Sequence, residues 1–307
     1  TGSFNVAMGD YALGNNTTGE KNVAIGYQAG YSSTISSENI AIGYQALYSH
    51  TDYFGTSLGR NVAVGTEALY ANTSGIYNHA FGYRSMYNNT TGFYNSAFGA
   101  RSMLANTTGN QNTAMGSRSL SVNTTGSYNT ALGNSALHCF QTGEYNTAVG
   151  KSSMSGSGSE CGDADATYST GSYNTALGAE SLMDVTTGSK NVAMGYQAGY
   201  SNTTGTSNVF IGYQAGYNET GSNKLYISNS KTQDLITGDF STGYLSFGRA
   251  GLNNGGIGIY GDLGAQFMDD DASAYVAFVA PSTVSSSITY TLPGADGSIG
   301  QQLTTDG

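Results

Sequence analysis

Three kinds of residue in this 307-residue chain could do chemistry, and each comes at a regular or paired spacing. Aromatic side chains stand directly before a recurring Asn at Phe4, Tyr77, Tyr94, Tyr128, Tyr145 and Tyr173. A row of such rings could stack on sugars, though a structural ladder or a contact between chains is the first reading. Asn16, Asn72, Asn89, Asn106, Asn123, Asn202 and Asn218 each head an Asn-x-Ser/Thr sequon, the acceptor pattern for N-glycans. Asn-Thr-Thr-Gly is also a good turn in its own right, which explains the motif without glycans. Cys139 and Cys161, the only cysteines, lie 22 residues apart. Cys161 falls in an inserted stretch, and one coil on from Cys139 is position 156, so a disulfide pinning the insertion is expected. Two free thiols are the alternative. A disulfide would suit an oxidising, extracellular compartment.

Catalysis finds little support. His50, His79 and His138 are dispersed, and no HExxH, GxSxG or Walker-type pattern occurs. Asp269-Asp270-Asp271 reads as a solvated acidic turn before it reads as a Ca²⁺ site. We therefore expect no enzyme, no cofactor and no bound metal. Only 10% of residues are charged, the net charge is −10, and no cluster of Lys or Arg is expected anywhere. Nucleic acid and anionic membranes both require a basic patch, so neither is an expected partner. No apolar run approaches the roughly 20 residues that span a bilayer. The chain opens at Thr1 in the middle of a repeat unit, which reads as a processed or partial chain.

The element that positions these residues is a tandem repeat. Its anchor, Asn-x-Ala-apolar-Gly, has Asn at 5, 22, 39, 61, 78, 95, 112, 129, 146, 174, 191 and 208, that is Asn5, Asn22, Asn39, Asn61, Asn78, Asn95, Asn112, Asn129, Asn146, Asn174, Asn191 and Asn208. Nine of the eleven intervals are 17 residues; the others are 22 and 28. Such self-similarity specifies a solenoid. "NVAIG" alternates with period two, so these are strands. The apolar residue after Ala (Met8, Ile25 and onward to Ile211) is expected to be the core ladder. The Ala, replaced only by Phe210, is expected to face a close backbone, such as a neighbouring chain. A second ladder (Leu13, Leu47, Leu69, Met86 and onward, with Gly in the "YQAGY" copies) suggests a second strand per coil. Twelve coils at about 4.8 Å make a rod of roughly 58 Å. The Asn column is expected to be structural, its stacked amides hydrogen-bonding along the rod.

"NVAIGYQAG", "NTALGNSAL" and "NVAMGYQAG" resemble the head repeats of trimeric autotransporter adhesins over about residues 1–222. That resemblance implies a left-handed parallel β-roll, three copies packed around a common axis, and adhesion to a cell surface. Residues 223–250 form a transition, and 251–307 a small β-rich segment. There Tyr275 to Val279 and Ile288 to Leu292 read as strands, and Gly251 to Gly264 as irregular or edge structure. "YTLPGADGSIGQQLTTDG" at the end resembles the shaft and junction regions of phage tail fibres, which again implies a homotrimeric fibre.

The function expected is thus a structural and adhesive fibre of an extracellular or virion appendage, binding cell-surface glycans or a receptor. An open-ended, possibly glycosylated filament with a purely architectural role is the alternative. An ice-binding face, suggested by Thr113, Thr130, Thr147 and Thr175 in register, ranks last, because the position is Val, Ile, His or Ser in the other copies.

Overall fold

The computed structural model describes residues 2–51, 58–156, 161, 168–247, 265–268 and 275–278. Two compact units divide the chain, Thr1–Gly255 and Gly256–Gly307. In the first, every copy of the anchor motif supplies one three-residue strand. These are Val6–Met8 (β1), Val23–Ile25 (β2), Ile40–Ile42 (β3), Val62–Val64 (β4), His79–Phe81 (β5) and Ser96–Phe98 (β6). Thr113–Met115 (β7), Thr130–Leu132 (β8), Thr147–Val149 (β9), Thr175–Leu177 (β10), Val192–Met194 (β11) and Val209–Ile211 (β12) follow. All pair in parallel with their sequence neighbours and in register, so Ala97 lies beside Ala114 and Ala114 beside Ala131. The long intervals leave that register intact, since β3 pairs with β4 and β9 with β10. The result is an all-β parallel solenoid of about twelve turns.

Lys224–Ser228 (β13) adds one more parallel strand, after which Asp234–Asp239 (β14) and Tyr244–Phe247 (β15) run antiparallel. The Lys224 ammonium holds Asp239 at 2.7 Å, and the Tyr226 hydroxyl donates to Glu219 at 2.7 Å. The expected transition at 223–250 therefore continues the sheet of the solenoid. In the second unit Ala265–Met268 (β16) and Tyr275–Phe278 (β17) pair antiparallel, β17 falling on a stretch read as strand from the sequence. Ile288 to Leu292, Gly251 to Gly264 and Asp269-Asp270-Asp271 lie outside the described residues.

Two expectations about the coil are overturned. The first concerns which side of the strand is inside. Ala24, Ala63, Ala97, Ala114 and Ala131 are fully buried, while Phe98, Met115 and Leu177 after the motif Ala are 37%, 47% and 45% exposed. The core ladder is Ala, not the larger residue, and the Ala column packs within its own coil instead of against another chain. A 17-residue circuit encloses little space, and the return arm fills most of it with Met103, Leu120 and their equivalents, fully buried from Leu47 to Leu182. Only a methyl group fits opposite them. Phe210, the single exception, proves compatible because Gly199 and Gly216 stand where other coils carry Leu or Met. A Cβ on either glycine would collide with the Phe210 ring.

The second correction is that each coil has one strand, not two. The Leu/Met ladder lies in a run of turns and adopts left-handed backbone, with φ of 50° at Met103 and 51° at Leu120. Side-chain burial offsets the cost of that conformation in a non-glycine residue. The same backbone is free of strain in Gly30, Gly199 and Gly216 (φ 59°, 62° and 59°), which accounts for glycine in the "YQAGY" copies. The Gly that ends the motif is required outright. At Gly116 φ is 137°, and a Cβ would run into the carbonyl of Gly133 one coil away.

Candidate functional site

The interior polar columns come first, because they determine which residues are left for contact with other molecules. The Asn112 backbone N–H donates to Asn95 Oδ1 at 3.0 Å, and its own Nδ2 donates to the Gly126 carbonyl at 2.9 Å. Nδ2 also reaches Asn95 Oδ1 at 3.2 Å. The pattern repeats along the buried Asn column, as at Asn129 and Asn146. These amides are engaged within the rod.

The sequon residues form a second buried column. Asn89 Nδ2 donates to Asn72 Oδ1 at 2.8 Å, Asn106 Nδ2 to Asn89 Oδ1 at 2.7 Å, and Asn123 Nδ2 to Asn106 Oδ1 at 2.8 Å. Each also donates to the carbonyl of the Gly three residues on, as Asn106 does to Gly109 at 3.1 Å. Asn72, Asn89, Asn106, Asn123 and Asn202 are fully buried. The glycan-acceptor reading of the sequons, which needs exposed Asn side chains, therefore fails at these five: the nitrogen that would carry a sugar is a donor inside the fold. Asn16 is half-buried, with Nδ2 donating to Gly19, and Asn218 is exposed.

The column also explains its own defects. Phe140 follows Asn123, and Glu219 follows Asn202, so neither next coil supplies an amide donor. Asn123 Oδ1 and Asn202 Oδ1 are indeed buried without a partner. His50 takes an Asn place in this column, 3.0 Å from Asn72 Nδ2 and 2.8 Å from Ser36 Oγ. Burial pushes its pKa down to about 4.

Cys139 and Cys161 are paired, with Cα atoms 5.4 Å apart, a separation that suits a disulfide. Cys139 is buried where the neighbouring coils carry small or apolar residues. The three His residues occupy three different columns, and burial, then the Arg118 charge, holds His138 below the ordinary imidazole range. Among the described residues no group of three or more His, Cys, Asp or Glu is placed to hold a metal ion.

Outward-facing residues form three surfaces. The first is the tyrosine column before the Asn. Tyr94, Tyr128, Tyr145 and Tyr173 are 44–57% exposed, on left-handed backbone that swings the ring away from the sheet. Their faces, however, lie on one another. Ring centroids are 4.8 Å apart for Tyr77–Tyr94, 4.7 Å for Tyr128–Tyr145 and 5.2 Å for Tyr145–Tyr173. Arg60 covers the far face of Tyr77 at 5.4 Å and is itself held by Glu38. Face-on sugar stacking along the whole row is thereby prevented. What the row presents is ring edges and hydroxyls, with a break at Gln111, whose amide lies 3.5 Å from the Tyr128 hydroxyl.

The second surface is the outer face of the sheet. It carries the first and third residues of every strand from β1 to β12, and none of them is Asp, Glu, Lys or Arg. The third residues are all Met, Ile, Val, Phe or Leu, with the Phe81 and Phe98 rings stacked at 4.7 Å.

The third surface was not visible as a run in the linear sequence. Arg84, Arg101 and Arg118 are 17 residues apart, and the solenoid stacks them in one column. Listing residues by their place in the repeat would have revealed the basic cluster that the sequence seemed to lack. Compared with known proteins, the chain matches no family model, no curated protein and no solved structure.

Proposed function

We propose that this chain is the rod of a structural and adhesive fibre, in which three copies pack side by side and the surface left exposed binds cell-surface glycans or a receptor. The observation that carries the reading is the outer face of the sheet. An uncharged strip with a continuous apolar column runs past twelve coils, and depletion of charge is the compositional mark of an interface core. A contiguous apolar patch of that length is unusual for a chain that stays single. The number three comes from the resemblance to trimeric adhesin heads and tail-fibre shafts. Extension by repeated coils serves a projecting fibre, since length and avidity both grow with copy number. The paired cysteines fit an oxidising, extracellular setting.

Sedimentation of the purified chain tests the assembly. A discrete trimer supports the reading. Species that grow without limit with concentration favour the open filament, whose subunit contacts do not close on themselves. A stable monomer at micromolar concentration overturns both.

A further inference from the structure

The Arg84–Arg101–Arg118 run departs from the pairing rule that the Gln and Glu residues of the same column obey. The position lies two residues after the motif Gly, on left-handed backbone, and besides Tyr11, Ser135 and Ser152 its other copies are Gln or Glu, several of which pair along the rod. Gln45 Nε2 donates to Gln28 Oε1 at 2.7 Å, Gln214 Nε2 to Gln197 Oε1 at 2.7 Å, and Gln197 Nε2 to Glu180 Oε2 at 2.8 Å. Arg84 follows the rule on one side, where its guanidinium binds Glu67. Arg101 and Arg118 then continue the column with two more positive charges. Both are exposed, and neither has a carboxylate partner among the described residues.

Like charges stacked in successive coils about 4.8 Å apart repel one another and weaken the stack instead of holding it. The chain contains five arginines in all, so three of them in one column is a concentration of charge in a molecule whose net charge is −10. The neighbours leave the strip open. Ala100 and Ser117, both exposed, flank Arg101 and Arg118, and Tyr83 and Tyr87 lie beside Arg84, each ring 5.2 Å from its guanidinium.

We propose that this column is a binding strip for an anionic glycan, carboxylated or sulfated. The guanidinium forks donate to the acidic groups in bidentate fashion, and Tyr83 offers an exposed aromatic surface to a sugar ring at one end. The strip deepens the ligand-binding half of the function proposed above and does not depend on the copy number. Nucleic acid is a poorer occupant, because three arginines on a strongly acidic chain neutralise too few phosphates. A second copy of the chain is also a poorer one. Among the described residues no two acidic side chains fall in the same column in successive coils, so no matching acidic ladder exists to face this one.

The test measures binding of the full chain to a heparin-derived oligosaccharide and to a neutral malto-oligosaccharide, at low and at physiological salt. The comparison variant is Arg101→Gln with Arg118→Gln, which installs the residue this column already holds at Gln28, Gln45, Gln197 and Gln214 and so preserves the fold. The wild type should bind the acidic sugar and not the neutral one. The variant should lose about tenfold or more in affinity, with a salt slope lower by about two, and Arg101→Lys with Arg118→Lys should recover part of the loss.

Acidic-sugar binding unchanged in the glutamine variant overturns the strip, as does equal or tighter binding of duplex DNA. A change in native mass in that variant would assign the column to a contact between copies and overturn it too. Binding of the neutral sugar alone removes the strip but leaves the adhesive reading standing. Binding of neither sugar, with other surface glycans also failing, removes both.

Discussion

The central residue of strands β2 to β11 is Ala in every coil and is buried, whereas the third residue is Ile, Val, Phe, Met or Leu and lies half-buried or exposed. One side of a three-residue strand tolerates a single side chain; the other tolerates a class. The difference is one of available volume. Inside, the Leu/Met ladder and the next coil leave room for a methyl group and nothing more. Outside, only a physical character is kept: apolar at the third position and uncharged at the first. An interior written in identities and an exterior written in classes is what a rod with an inter-chain face should look like.

Substitutions on the two sides should therefore separate cleanly. The largest effect belongs to the interior backbone. Gly116→Ala places a Cβ against the Gly133 carbonyl on backbone of φ 137°, and should cost about 3 kcal/mol in chemical denaturation.

Acidification tests the interior polar column by a different route. His50 is neutral in the fold with its pKa pushed down to about 4 by burial, against 6.5 for the ordinary group. The unfolded chain thus takes up the proton first. Stability contributed by the neutral ring is complete above about pH 6.5, declines as pH falls towards 4, and changes no further below that. Linkage sets the loss at no more than about 3 kcal/mol. His50→Asn, which restores the residue found at Asn72 and Asn89, should flatten that part of the pH profile.

Smaller again is Asn106→Ala. It removes the donor to Asn89 Oδ1 and the acceptor of Asn123 Nδ2, and should cost about 2 kcal/mol. The smallest effect on the fold is expected outside. Met115→Gln with Leu132→Gln should change the stability of the isolated chain by no more than about 0.5 kcal/mol, while abolishing self-association in sedimentation.

Much of this was legible beforehand. The spacing of Asn5 to Asn208 established the solenoid and its in-register coils, and the resemblance to adhesin heads supplied the parallel order. The facing of the strand was not legible, because alternation defines two faces without saying which is inside. That depends on how much space a 17-residue coil encloses, and the larger residue is the natural but wrong choice. The Leu/Met ladder was read as a strand because its apolar character is visible and its left-handed backbone is not.

The sequons misled for a related reason. Asn-Thr-Thr-Gly is a turn, turns are usually exposed, and nothing local shows that this Asn side chain points inward to form a ladder. The tyrosine row was correctly seen as a row, but the coil spacing that aligns the rings also closes their faces. The arginine column shows the reverse case. It lies plainly in the sequence once residues 17 apart are compared, and reading along the chain hides it.

The most direct test of the outer face as the meeting surface is cross-linking by introduced cysteines. Met115→Cys on that face and Thr108→Cys on an exposed turn would be oxidised in parallel, with Cys139 and Cys161 left in place. Met115→Cys should give disulfide-linked copies in high yield, and Thr108→Cys should give none. No inter-chain product from Met115→Cys, with that thiol freely labelled in the native protein, would contradict the account.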